Sequence, residues 1–294
     1  MDLIRRLAAS CGVLLLASVA GAGEPVVRVV GPDAVAGEVS QQLAGLRADV
    51  DVRRDETPAR LVVAVGARAF RDALAGTDVP VVGIALTRAS YRQALRETAN
   101  GERARHTALF WEPDPVRQLR LAKLVLPTAR RVGIVAGDVP DDVLLAALRA
   151  ECARLGLTPV IDMPDGKRLL PQRLATVLSG SDFLLGLDEP GVFSPTNAKT
   201  VLLTAYRHSR PVIGPTGAWV DAGSIASLTG GLPEATAALA AWLPALLADD
   251  SLPAPRYSDR YTVVTNPQVA RSLSLTLPAG ARIDAFLRDS GGTP

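Results

Sequence analysis

The chain has 294 residues, of which 48% are hydrophobic, 21% charged and 4% aromatic, and its formal net charge is +2. That length suits one large or two medium domains, and the composition is that of a globular protein with a real core. A balance this close to neutral, with no dense Lys or Arg run, excludes an electrostatic case for nucleic acid or an anionic membrane as partner.

The first 22 residues read as a signal peptide. Arg5-Arg6 supplies the positive start, Leu7 to Val19 is apolar or small, and Ala20-Gly21-Ala22 fits an A-x-A cleavage site before Glu24-Pro25. The apolar part is short for a membrane span. The expectation is therefore cleavage after Ala22 and a periplasmic location. Cys11 leaves with the signal, so only Cys152 remains and no internal disulfide can form. Cys152 follows Leu144 and Leu148 at helical spacing, as a small buried hydrophobe does.

Beyond the signal, short β-type runs alternate with helical patterns. Strands are expected at Val26–Val30, Leu61–Val65, Val79–Ile84 and Thr107–Phe110, with helices from Asp33 to about Leu46, around Phe70 and Leu74, and around Tyr91 to Leu95. The rhythm resumes with a helix from Asp114-Pro115, where Asp is the N-cap and Pro the first helical residue. Then come a strand at Arg131–Ala136, a helix from Asp141 to Leu155 stopped by Gly156, and a strand at Thr158–Ile161. A helix over Arg168–Leu178, a strand at Phe183–Leu187, a helix over Pro195–Tyr206 and a strand at Pro211–Gly214 complete the pattern.

Continuous apolar strands separated by helices indicate parallel sheets covered on both faces. Two such runs predict two similar Rossmann-like α/β lobes. The expected division gives residues 24–111 with about 230–250 to the first lobe, and 112–229 with about 251–294 to the second. The short junction at Trp111-Glu112-Pro113 points to a cleft between the lobes. In open α/β sheets ligands collect at the carboxyl ends of strands, here occupied by Gly66, Thr87, Trp111, Asp188 and Thr216 among others.

No catalytic constellation emerges. Of the two histidines, His106 sits beside a basic segment and His208 follows Arg207 at a helix end, and there is no zinc spacing, Gly-x-Ser-x-Gly elbow, P-loop or Rossmann glycine pattern. Asp141-Asp142 is explained by helix capping. Asp188-Glu189 could serve acid–base work, a ligand ammonium or a plain loop. The expectation is a binding protein, not an enzyme, with no cofactor and no metal.

The stretch SDFLLGLDEPGVFSPTNAKTVLLTAYRHSRPVIGPTGAWVDAGSIASLTGGLPEATAALAAWLPALL, with LPTARRVGIVAGD before it and YTVVTNPQVARSLSLTLP after it, resembles the ABC-transporter substrate-binding family that includes tryptophan-binding-type proteins. The likeness covers Gln118 to Pro278, and the N-terminal lobe only by rhythm. It implies a type I periplasmic binding protein fold, two lobes joined by crossing hinge segments that close on a small molecule such as an amino acid or aromatic metabolite. The implied partner is an ABC permease in the inner membrane. The other role open to such a fold is a periplasmic sensory subunit that signals to a membrane kinase or receptor. The sequence departs from the family pattern at Pro215-Thr216, where Phe-Ser is usual, at Gly230-Gly231 in place of a Ser-rich bend, and at GIALTRASY, which lacks an Asp-Pro.

The resemblance carries over Ser194, Pro195, Thr196 and Asn197 as the strand-to-helix cleft segment and Gly214 to Asp221 as a second. Ser194 is expected as N-cap, with Thr196 and Asn197 in the first helical turn, either completing the cap or holding a polar ligand group. Trp219 and Trp111 have two readings each, a ligand stack or a core or hinge aromatic. Asp221 either pairs with a ligand ammonium or caps the Ala222-Gly223 turn. The expected ligand set is Gly66, Thr87, Trp111, Asp188, Ser194, Thr196, Asn197, Thr216, Trp219 and Asp221.

Overall fold

Runs of β-branched residues with no polar alternation form strands buried on both faces, and helices between them supply the cover. The computed structural model describes residues 24–99, 105–137, 141–248 and 252–290. The expected signal peptide lies outside them. The chain begins with β1 (Val26–Val30), α1 (Asp33–Leu46), β2 (Asp51–Arg53), β3 (Leu61–Val65), α2 (Ala67–Gly76), β4 (Val81–Leu86), α3 (Arg88–Glu97) and β5 (His106–Phe110). It crosses into α4 (Pro115–Val125), β6 (Arg131–Val135), α5 (Asp142–Leu155), β7 (Thr158–Asp162), α6 (Leu170–Gly180), β8 (Phe183–Leu185), α7 (Ala198–Arg207), β9 (Val212–Ile213), α8 (Gly217–Ala222) and β10 (Ala226–Thr229). It then returns through α9 (Leu232–Ala248) and β11 (Arg256–Tyr257), and ends with β12 (Thr262–Thr265), α10 (Pro267–Ser272) and α11 (Gly280–Ser290).

Two six-stranded sheets result, ordered β11-β5-β4-β3-β1-β2 and β12-β10-β9-β8-β6-β7. The first is parallel throughout, and in the second only β12 runs antiparallel, against β10. These are the two expected Rossmann-like α/β lobes. The division of the tail differs from the expected one at its edge: β11 lies beyond residue 251 yet pairs with β5, Arg256 opposite Leu109, so the last crossing falls after Tyr257. A two-residue strand has no sequence signal of its own, and the pairing edge of β5 decides where it goes.

The predicted caps are present where local chemistry decides. The Asp114 carboxylate accepts the Val116 N–H at 2.9 Å with Pro115 opening α4, and Gly156 ends α5 in the left-handed conformation. The expected helix over Pro195–Tyr206 starts late. Its first turn lies at Ala198, with Asn197 in the capping position and no side-chain cap bond. The reason lies upstream. Val192 and Phe193 are buried, and both of their N–H groups donate to the Glu189 carbonyl, so the chain turns there before it can wind. Ser194 to Asn197 then form a second turn, closed by the Asn197 N–H on the Ser194 carbonyl at 3.0 Å. Ser194 is therefore not the helix N-cap.

Each sheet separates two aliphatic cores, and none of the four mixes residues of the two lobes. Helix α9 belongs to the first lobe, where Leu239, Trp242 and Leu243 pack with Val39 and Leu43 of α1. Between β7 and β8 the second lobe has α6 as cover, whereas residues 54–60 between β2 and β3 form no helix. Three crossings join the lobes, at residues 111–114, 230–231 and 258–261. They are tied together: Arg117 donates to the Ser258 carbonyl at 2.8 Å, and the space beside Gly230 is filled by the Arg260 carbonyl. Buried Gln118 fixes α4 to the second sheet by donating to the Gly214 carbonyl and accepting the Leu228 N–H.

Gly186 brings the end of β8 against the next strand. A Cβ there would lie 2.5 Å from Pro215 Cδ and 2.8 Å from the Ile213 carbonyl oxygen. Gly186→Ala should therefore cost about 1–3 kcal/mol of stability, the usual range for overpacking. Chemical denaturation reads this directly, and an unchanged midpoint would show that the strands give way freely.

Candidate functional site

The carboxyl ends of both sheets face each other, and the chain there is polar. β4 runs into Thr87, whose hydroxyl oxygen accepts the Ser90 N–H at 3.2 Å and caps α3. That cap points the first turn of α3, with Arg88 and Arg92, at the second lobe. On the other side Asp141 caps α5, accepting the Leu144 N–H at 3.0 Å. β8 runs out into Leu187, Asp188 and Glu189. Between these elements lies a cavity of ≈ 320 Å³, lined by Arg88, Arg92, Glu112 and Tyr257 from the first lobe and its crossing, and by Asp141, Leu144 and Asp188 from the second.

Charge pairs cross the cavity mouth. Arg88 Nε donates to Asp141 Oδ2 at 2.5 Å and its Nη2 to Oδ1 at 3.3 Å, while Arg92 Nη1 lies 3.3 Å from Oδ2. Burial works to raise the Asp141 pKa, but the Arg88 hydrogen bonds, the Leu144 N–H and both guanidinium charges outweigh it and hold it below the usual value. The Thr87 hydroxyl, which donates to Ser90 Oγ at 3.2 Å, works from across the cleft to hold the Asp188 pKa down. Burial nevertheless wins at Asp188 and raises its pKa.

Glu112 lies deeper and is only 5% exposed. Its Oε1 accepts the Arg88 backbone N–H at 2.7 Å, and its Oε2 has no protein partner. Burial pushes its pKa up to about 8, helped by the nearby Asp188 charge and resisted by the Arg88 N–H. The Arg88 guanidinium is engaged with Asp141, so little positive charge reaches Glu112. Tyr257 Oη is also buried without a partner, and burial together with the Glu112 charge raises its pKa.

Of the residues expected from sequence, Asp188 lines the cavity, and Thr87 stands near enough to influence its carboxyl. The others stand elsewhere. Trp219 is 7% exposed in the core of the second lobe, its ring edge-on to Phe193 at 5.3 Å. Trp111 is exposed beside the first crossing, and Asp221 is exposed on α8. Thr216 precedes α8 without capping it. Thr196 is exposed, Ser194 is half-buried in the turn, and the Asn197 amide donates to the Gly191 carbonyl at 3.1 Å. None of these seven lines the cavity. Gly66 lines a separate, more open groove of ≈ 800 Å³ that runs along α2 over β1, past Arg28, Val30 and Asp72. That groove lies within one lobe, over the sheet face that the residues 54–60 segment leaves without a helix.

The sequence placed Arg88 beside Thr87 at a strand end without giving it a role, missed Arg92, Glu112 and Tyr257, and took Asp141 as a cap alone. Asp141 is a cap, but it also joins the lobes. A carboxylate at the lobe junction was the one available signal for Glu112. Among the described residues no group of three or more His, Cys, Asp or Glu is placed to hold a metal, and no helix is long and apolar enough to cross a membrane.

No family model matches the sequence, and no curated protein matches it. Solved structures do match. A conserved domain protein of Vibrio cholerae is 19% identical, covers 92% of this chain and 98% of its own, and superposes with a TM-score of 0.55. An ABC domain of Streptococcus pneumoniae in complex with L-Trp is 16% identical over 91% of this chain and 98% of its own, TM-score 0.55. The ligand-free, open form of a Clostridium difficile substrate binding protein with adhesive properties is 16% identical over 88% of this chain and 96% of its own, TM-score 0.61. At these identities the likeness is one of fold. The chain has the two-lobed, type I periplasmic binding protein fold of ABC substrate-binding proteins, as the sequence resemblance implied.

Glu112 also makes stability depend on pH. Its folded pKa, about 8, lies above its ordinary value of 4.5. Below the ordinary value the group is neutral in both states and carries no penalty. As pH rises toward 8 the unfolded chain ionises while the folded chain keeps its proton, so stability falls across that window. At about 1.4 kcal/mol per pKa unit the loss reaches a few kcal/mol by neutral pH. Denaturation midpoints of Glu112→Gln should be flatter between pH 5 and 8 than those of the wild type. Parallel curves would mean that Glu112 is ionised in the fold.

Proposed function

We infer that the protein is an exported substrate-binding protein, which captures a small molecule between its lobes and delivers it to an ABC-type permease. The observation that carries this reading is the cavity itself, whose polar wall is drawn from both lobes, with Arg88, Glu112 and Tyr257 facing Asp141 and Asp188. A site split in this way is completed only when the lobes close, which converts ligand contacts into a shape a partner can read. The separate cores support such a motion, since parting the lobes exposes no shared core. The signal-like residues 1–22 support export, and purified periplasmic protein should begin at Gly23.

The ligands named for the structural neighbours suggest where to begin a screen. A ligand present at 100 times its Kd should stabilise the protein by about 2.7 kcal/mol, visible as a rise in Tm. Amino acids, aromatic metabolites, amines and small anions form the first panel. A broad panel without any hit would count against solute binding.

Asp141 is expected to govern the ligand-free shape. In Asp141→Ala, the two-point Arg88 bond and the Arg92 contact to Asp141 across the cleft are lost. Small-angle scattering should then report a larger radius of gyration than for the wild type. An identical radius would show that the crossings, and not the ion pairs, hold the lobes together.

A further inference from the structure

The cavity is unbalanced in one respect. Its deep wall holds polar atoms that no protein group satisfies. Glu112 Oε2 is buried with no partner, and Tyr257 Oη is buried with none. Asp188 lines the same cavity, and burial raises its pKa. The nearest strong donor, the Arg88 guanidinium, is turned to Asp141 at 2.5 Å, and its backbone N–H is already on Glu112 Oε1. A buried polar group left unmatched is costly, and a buried carboxylate far more so. What would satisfy this wall is a ligand group with several N–H donors and positive charge. An ammonium offers three donors and a guanidinium five, neither with a competing acceptor. Two further facts fit. The cavity volume of ≈ 320 Å³ is at the small end for ligand pockets, and Leu144 and Leu187 in its lining suit a short aliphatic body.

We propose that the ligand is a small organic cation, whose ammonium or amidinium head is seated between Glu112 Oε2, Asp188 and Tyr257 Oη. The proposal rests on the reading of the cleft as a solute site and adds the ligand's chemical class. Glu112 is the deciding residue, because it is the buried group that gains a partner only when the head arrives. The charged or titratable groups around it are Arg88 of α3, Asp188 after β8, Tyr257 of β11 and, at the mouth, Asp141 of α5. Arg88 and Arg92 remain on Asp141, which offsets part of their charge.

A consequence is proton release. Ligand-free Glu112 holds its proton near neutral pH, since burial sets its pKa at about 8. A cation at Oε2 favours the carboxylate, so binding at pH 7 expels up to one proton and affinity rises from pH 6 to pH 8.

The test is calorimetry on the full mature chain with butane-1,4-diamine, 4-aminobutylguanidine and benzamidine, and with butane-1,4-diol as the neutral isostere. Titrations run at pH 6, 7 and 8, in two buffers of different ionisation enthalpy. The expected result is binding of at least one cation, at least tenfold weaker binding of the diol, and proton release at pH 7. Glu112→Gln should lose cation affinity at least tenfold while its Tm at pH 7 stays equal or rises. If that variant fails to fold, the buffer dependence of the wild type decides alone. Cation binding without proton release, or unchanged in Glu112→Gln, overturns the seat. Should the broader panel give only neutral or anionic ligands, the cation proposal falls and the solute-binding reading stands. If no small molecule binds, both fall.

Discussion

A single carboxylate sets the geometry of the cleft. Asp141 caps α5 through the Leu144 N–H, so its position in the second lobe is fixed by its own helix. From there it draws Arg88 and Arg92 across from α3. Charges taken partly out of water stay charged only when paired and hydrogen-bonded, and this pair is both. Once Arg88 is committed there, its backbone N–H is presented to Glu112, and its guanidinium is denied to it. Burial raises the pKa of Glu112 and of Asp188, and the Tyr257 hydroxyl is left without a protein partner.

The same arrangement explains how a two-lobed chain with a substantial core can still move. Each lobe buries its own aliphatic residues on both faces of its own sheet. What joins them is polar: ion pairs at Asp141 and three adjacent crossings. Interfaces of this kind part more readily than cores, because ions and hydroxyls regain water when exposed. The crossings keep register meanwhile, with Gln118 holding α4 to the second sheet and Arg117 reaching the last crossing.

The two lobes are near repeats that differ where the first lacks a counterpart of α6. In the second lobe Leu174, Val177 and Leu178 of α6 cover the sheet. In the first, the residues between β2 and β3 are too few for such a helix, and Arg28 and Val30 on that face of β1 remain half-exposed along the groove that ends at Gly66. A strand-end glycine that sequence reasoning assigned to the cleft therefore borders a different surface.

The sequence by itself determined the α/β rhythm, because continuous Val, Ile and Leu runs have no stable place except a doubly covered sheet. It determined the ends of α4 and α5, because Asp114-Pro115 and Gly156 act within one turn of chain. It also placed Asp188 and Thr87 at strand ends, where open sheets gather ligands. The tertiary structure decided what local chemistry leaves open. Trp219 is a core ring because Phe193 and the second sheet enclose it. α7 starts at Ala198 because Val192 and Phe193 are first anchored in that core. β11 joins the first sheet because the edge of β5 is free to pair. Above all, Glu112, Arg88 and Tyr257 gained their meaning only when distant segments met. Burial and the loss of a counter-charge are properties of that meeting, and no spacing along the chain encodes them.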